Sequence, residues 1–294
     1  MKKVIALMLA AVLCTAALTA CGGDAANADA GSQTPGETGA ASAAQETAGA
    51  QAETADTQSD ATETPDGAAS GDNVLIVGTN AEFPPFEYVG DDGEPDGFDI
   101  ALIKEIGSRL GMEVQVENME FNSLIASIGT KIDAVIAGMT VTEERAAAVD
   151  FSDTYYEAVQ SVIVRADSDI ASAADLENKT IGVQLDTTGN FIADEIPGAT
   201  VQAYNKGVDA VNDLLNGRVD AVIIDTNPAQ VFAQQYEGQI VALAGADFEF
   251  EAEYYAIALP KGSELVDQVN QALADIKADG TFDALVAQYI GETE

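Results

Sequence analysis

Two ten-residue stretches share one pattern. KIDAVIAGMT (Lys131–Thr140) and RVDAVIIDTN (Arg218–Asn227) each run a basic residue, an Asp two positions on, an apolar strand, and polar residues at its carboxyl end. A short apolar run bounded in this way reads as a strand buried on both faces, the kind found in a mainly parallel sheet covered by helices. The flanking sequence agrees: NVLIVGTN (Asn73–Asn80), EVQVEN (Glu113–Asn118), TIGVQ (Thr180–Gln184) and TVQAY (Thr200–Tyr204) read as further strands. Helices are expected from about Asp99, with Leu102, Ile103, Ile106 and Leu110 on one face, through FNSLIASIG (Phe121–Gly129), and through VDAVNDLLNG (Val208–Gly217). This alternation predicts an α/β class, and its restart after about Tyr155 predicts two lobes. Ligands of open α/β sheets bind beyond the carboxyl ends of strands, which makes Gly138–Thr140 and Asp225 the place to look for a site. The tail adds a strand, EYYAIALP (Glu253–Pro260), then a helix with Leu265, Val269, Leu273 and Ile276 on one stripe. A break at Gly280 precedes a last helix through Phe282, Leu285, Val286 and Ile290.

Composition removes several functions. With 12 Lys+Arg against 50 Asp+Glu the formal charge is −38, which excludes partners that are polyanions, nucleic acid first among them. There is no His and no Trp, so Ser-His-Asp chemistry and His-ligated metal sites are excluded. Both cysteines, Cys14 and Cys21, lie in the first segment, leaving the folded part without thiol chemistry, and no metal or cofactor is expected.

That first segment reads as an export signal: MKK is a positive start, and VIALMLAAVLCTAALTA is an apolar run ending at Cys21. Leu18-Thr19-Ala20-Cys21 resembles a bacterial lipobox, which implies a signal peptide over 1–20, cleavage before Cys21 and lipidation of its thiol. An uncleaved membrane anchor is the alternative, although the run is at the short limit of about 18–20 residues for a span. Either way the remainder lies outside the cytoplasm. From Gly22 to about Asp72 the composition shifts to Ala, Gly, Ser, Thr, Asp, Glu and Gln with no Lys, Arg or large apolar side chain, which makes 21–72 a disordered acidic tether. A flexible coil of that length reaches roughly 40 Å.

Arg145 is placed oddly. It stands three residues after Thr142, a natural N-cap, at the position where a capping box would carry Glu or Gln, and a cation is unfavourable at the positive end of a helix. Either it pairs with Glu143 or Glu144, or an anion comes to it.

Seven stretches carry a family resemblance across nearly the whole chain from Asn73 to Gly291. They are VGTNAEFPPFEY, GFDIALIKEI, FNSLIASI, IDAVIAGMTVTEERAAAVDFSDTYY, GVQLDTTGN, GRVDAVIID and ADGTFDALVAQY. Together they resemble the extracellular solute-binding proteins, family 3, of polar amino-acid ABC transporters. The resemblance implies a periplasmic-binding-protein-like type II fold, two α/β lobes joined by two hinge crossovers. Lobe 1 would take 73–158 and 255–294, lobe 2 would take 162–250, and the crossovers would pass near Tyr156–Ser161 and Glu251–Ala256.

It also implies roles. Arg145, whose guanidinium clamps a carboxylate bidentately, would hold the ligand carboxylate together with the Thr140 N–H, while Thr188 and the N–H groups around Gly189 meet it from the other lobe. Asp225, the Gly138 carbonyl and the Thr140 hydroxyl would take the ammonium, with Phe83 and Phe121 sandwiching the side chain. Asn80 stands where relatives that bind cationic or amide side chains carry Asp, and Glu82 is a charge close by, so the ligand's identity stays open. The implied activity is capture of a free amino acid by lobe closure, without catalysis, by a monomer that delivers it to an ABC permease from a lipid anchor on the bacterial cell membrane. A dehydratase on the same fold, and a lipoprotein that reports ligand to a membrane sensor, are the competing functions.

Overall fold

The computed structural model describes residues 73–291. The signal peptide expected over 1–20, Cys21 and the tether over 21–72 lie outside the described residues, as do 292–294. Among the described residues no helix is long and apolar enough to cross a membrane.

The chain opens with β1 (Val74–Thr79), followed by three short strands that pair in order as a small antiparallel sheet, β2 (Glu82–Phe83), β3 (Glu87–Val89) and β4 (Pro95–Asp96). Next come α1 (Phe98–Leu110) and β5 (Glu113–Asn118). Leu102, Ile103 and Ile106 of α1 are fully buried, the stripe that the 3.6-residue period demands. The helix stops at Gly111, whose φ of 69° is left-handed and whose N–H reaches back to Gly107 O and Ser108 O. A 3-10 turn, Phe121–Ser123, runs into the four-residue α2 (Leu124–Ser127), so the helix expected through Phe121–Gly129 forms only in part. After it come β6 (Ala134–Val135), α3 (Glu143–Ala148) and β7 (Asp150–Phe151), and then β8 (Tyr156–Arg165), which leaves the first sheet for the second.

The second lobe contains β9 (Thr180–Gln184), α4 (Thr188–Glu195), β10 (Thr200–Tyr204), α5 (Gly207–Leu215), β11 (Ala221–Asp225), α6 (Thr226–Gln235) and β12 (Ile240–Leu243). The chain returns through β13 (Ala252–Tyr255) and β14 (Ala258–Leu259) and closes with α7 (Leu265–Ala278) and α8 (Thr281–Tyr289).

The first sheet has the order β5-β1-β6-β14-β7 and the second β10-β9-β11-β8-β12. Each is parallel at its centre, β1 beside β5 and β6, β9 beside β10 and β11, and each takes in antiparallel strands that arrive from the crossovers. The single strand expected over Glu253–Pro260 is two. Ala252–Tyr255 pairs with Val159–Tyr156 of β8, whereas Ala258 pairs with Val135 and Phe151 of the first sheet, so the chain changes partners between them. Val269, Leu273 and Ile276 of α7 are buried in the same core as Leu102, Ile103 and Ile106, which gives the tail its partner.

Candidate functional site

The carboxyl ends of β6 and β11 open onto one cavity. Eight sequence-predicted residues line it, Asn80, Phe83, Phe121, Gly138, Thr140, Arg145, Thr188 and Asp225, joined by Glu87, Ala137, Gln184 and Thr187, whereas Glu82 and Gly189 do not.

Arg145 sits in the first turn of α3, capped as expected by Thr142, whose Oγ1 accepts the Arg145 N–H at 3.1 Å. Glu143 and Glu144 are exposed, whereas Arg145 is buried and forms no ion pair with any described residue. Its guanidinium donates from Nη1 to Thr140 O and from Nη2 to Asp186 O, each at 2.8 Å, and lies 5.3 Å from the Phe121 ring centroid. Both acceptors are neutral carbonyls, so the charge is oriented but not neutralised. Burial holds its pKa below the ordinary arginine value, yet a guanidinium remains charged in proteins. Three of its five N–H donors are left for an anion.

Gly138 has φ +50°, and a Cβ there would lie 2.9 Å from Phe83 Cε1, so only glycine lets this strand end pass the ring. Its N–H donates to Asp99 Oδ2 at 2.7 Å, where Tyr155 OH donates as well. Thr140 forms a lone bridge to Tyr255, flanked by bonds from Val141 N to Tyr254 O and from Ala256 N to Met139 O. The ladder bonds thus belong to its neighbours, and with its carbonyl taken by Arg145 it is the Thr140 N–H that stays outside the ladder.

Asp225 stands opposite, at the end of β11. It occupies the N-cap position of α6 but makes no capping bond, and it accepts instead from Tyr255 OH at 2.6 Å. Burial first, and the charge of Glu253 second, push its carboxyl up to about 7. On the same lobe as Asp225 the N-cap of α4 is Thr187, not Thr188: Thr187 Oγ1 accepts the Asn190 N–H at 3.2 Å. Thr188 is thereby free of capping, and the first-turn N–H groups of Thr188 and Gly189 have no intrahelical acceptor.

Asn80 lines the cavity with both ends of its amide engaged, Nδ2 on Met119 O and Oδ1 on Gln184 Nε2, each at 2.9 Å. It bridges the lobes, and one amide N–H and one carbonyl lone pair are left over from these two bonds. Glu82 is likewise taken, by Lys206 Nζ of the other lobe at 2.5 Å. With the Arg145–Asp186 bond these contacts draw the two lobes together over the cavity.

Two groups of residues went unassigned in the sequence. Glu87 and Asp99 are a buried acid pair: burial, then the charge of Asp99, raise Glu87 well above the carboxylate range, and burial raises Asp99 to about 6. The second group is Glu253 with Gln160. Glu253 Oε2 accepts from Thr140 Oγ1 at 2.8 Å, Thr188 Oγ1 at 2.7 Å and Gln160 Nε2 at 3.4 Å. Glu87 lay within FPPFEY and Glu253 within the expected hinge, but nothing local marks either as facing a cleft.

One buried cation without a counter-ion thus faces one buried carboxylate, with aromatic rings beside them. A zwitterion between rings is the complement. The model of the bacterial extracellular solute-binding proteins, family 3, matches residues 75–292. The chain is 37% identical to the arginine-binding extracellular protein ArtP of Bacillus subtilis (strain 168), over 74% of this chain and 87% of that protein. It is 31% identical to the L-cystine-binding protein TcyJ of Escherichia coli (strain K12), over 74% and 82% respectively. Among solved structures, an ancestral arginine-binding protein bound to arginine superposes with a TM-score of 0.71 at 39% identity, covering 74% of this chain and 99% of that one. The chain belongs to the bacterial extracellular solute-binding proteins, family 3.

Proposed function

We propose that this protein captures a free α-amino acid between its two lobes and delivers it to the permease of an ABC importer. The observation that carries this reading is Arg145, buried without an ion pair among the described residues, facing the buried carboxylate of Asp225 across one cavity. Arg145, the Thr140 N–H and the first-turn amides of α4 take the ligand carboxylate; Asp225, with the Gly138 carbonyl and the Thr140 hydroxyl, takes the ammonium. Phe83 and Phe121 hold the side chain. The ligand touches both lobes, 73–158 with 255–294 and 162–250, and so favours the closed arrangement by its differential contacts. L-arginine leads the candidates: the relatives at 37% and 39% identity are arginine-binding proteins, and Asp225 and Glu253 set two carboxylates against one guanidinium. Anchoring through a lipidated Cys21 and reach along the 21–72 tether complete the proposal. The cavity is complete within one chain, which supports a monomer as the working unit.

A thermal-shift panel of the common amino acids with ornithine and cystine tests it. A ligand at 100 times its Kd adds about 2.7 kcal/mol to the folded state. A rise in Tm with at least one of them is expected, and no rise with any refutes the reading.

A dehydratase on the same fold has one observation in its favour. Asp225, raised to about 7, is a cleft carboxyl able to hold a proton for general acid catalysis. Product formation from prephenate or arogenate, lost in Asp225→Asn, would move the assignment to that activity.

A further inference from the structure

The crossover strand β13 sends Glu253 and Tyr255, two residues apart and therefore on one face, toward the cleft. Their partners belong to both lobes. Glu253 Oε2 meets Thr140 Oγ1 of the first lobe at 2.8 Å and Thr188 Oγ1 of the second at 2.7 Å, and Tyr255 OH meets Asp225 at 2.6 Å. A carboxylate has no proton to give, so each threonine hydroxyl is the donor in its bond, and a hydroxyl owns one proton. Both hydroxyls therefore turn only lone pairs toward the cavity. Gln160 Nε2, from the other crossover, donates to Thr188 Oγ1 at 3.2 Å and to Glu253 Oε2 at 3.4 Å, which holds the arrangement and still leaves Thr188 one lone pair.

We propose that Glu253 is a positioning residue that sets the polarity of the cleft: by taking the protons of Thr140 and Thr188 it makes both hydroxyls acceptors, so the site demands a ligand ammonium. The cavity is then divided. Oxygen acceptors of Thr140, Thr188 and Asp225 face one end of the ligand's α-carbon, while N–H donors of Arg145, Thr140 and the α4 first turn face the other. The Thr188 hydroxyl consequently reads the ammonium, and only backbone amides of that turn serve the carboxylate. Selection follows from the same bookkeeping of protons. An α-hydroxy acid in place of the amino acid offers one donor where the ammonium offers three, and leaves buried acceptors unpaired.

This inference rests on the amino-acid reading above, and its test separates the two. Wild type, Glu253→Gln and Glu253→Ala are titrated calorimetrically with L-arginine and L-glutamine and with the 2-hydroxy acid that matches each. For the amino acid that wild type binds more tightly, the expected preference over its hydroxy acid is at least about 100-fold. In Glu253→Ala the freed hydroxyls can donate, and that ratio falls at least about tenfold. In Glu253→Gln the amide carbonyl still accepts, and most of the ratio is kept. A ratio in Glu253→Ala equal to wild type, whatever its absolute affinity, overturns the proposal. So does an equal fall in both variants, which would make the charge and not the hydroxyl orientation decisive. If wild type binds no member of the thermal-shift panel, the amino-acid reading itself fails and the proposal falls with it; a panel member bound in place of these two is titrated with its own 2-hydroxy acid.

Discussion

Lowering the pH from 8 to 5 should weaken amino-acid binding through Asp225. Burial, and then the charge of Glu253, raise this carboxyl from 3.8 to about 7, while Tyr255 and Gln160 oppose the shift without cancelling it. Only the ionised form balances an ammonium. With a pKa of about 7 the ionised fraction is roughly nine-tenths at pH 8, a tenth at pH 6 and a hundredth at pH 5, so Kd should rise about tenfold and then about 100-fold, or about 1.4 kcal/mol per pH unit. A free amino acid stays zwitterionic over this window and adds no slope of its own. Calorimetry in two buffers of different ionisation heat should find a proton released per ligand bound, approaching one below pH 6. Stability moves the other way. A carboxyl whose folded pKa is raised holds its proton more tightly folded than unfolded, so the unliganded chain gains stability as pH falls from about 7 toward 4. Asp99, raised to about 6, and Glu87 act in the same direction. A Kd flat from pH 5 to 8 with no proton release would refute the reasoning, and Asp225→Asn, weak but flat, is the control.

Gly138→Ala should lower both stability and affinity. Left-handed backbone costs alanine about 1–2 kcal/mol, and the new Cβ meets Phe83 at 2.9 Å, so a Tm loss of roughly 2–8 °C is expected together with an affinity loss above about tenfold. Gln184→Ala removes the bond to Asn80 across the lobes and leaves a buried amide oxygen unpaired, worth about 1–3 kcal/mol; calorimetry should find Kd raised about 5- to 100-fold. Tyr255→Phe deletes a bond that lowers the Asp225 pKa, so the midpoint of the pH–affinity curve should move upward. A midpoint at or below the wild-type value would show that Tyr255 does not stabilise the ionised form.

What could be read in the sequence was local. The two matched strands mark their own carboxyl ends, and Arg145 shows itself by standing where a helix start wants an acid. Thr187 and Thr188 show where local reading stops: either could cap α4, and which one does depends on Glu253, 65 residues away from Thr188, giving the other hydroxyl a partner. Asn80 stands where relatives that bind cationic or amide side chains carry Asp, and nothing local shows that its amide also bonds to Met119 and to Gln184, 39 and 104 residues distant. The run Glu253–Pro260 has the pattern of one strand, and it is divided because its two halves meet different sheets. Periodicity reports burial, and it does not report which sheet does the burying.

The central claim is that Arg145 holds the carboxylate of a bound amino acid. It is tested most directly by a double-mutant cycle between protein and ligand, in which wild type and Arg145→Ala are titrated with the bound amino acid and with the amine that lacks its carboxylate. Charge-assisted bonds to a buried carboxylate are worth about 1.5–3 kcal/mol each, so either change alone should raise Kd at least about 100-fold. Both together should cost little more than one, a coupling above about 2 kcal/mol. Additive losses, with no coupling, would show that the carboxylate binds elsewhere.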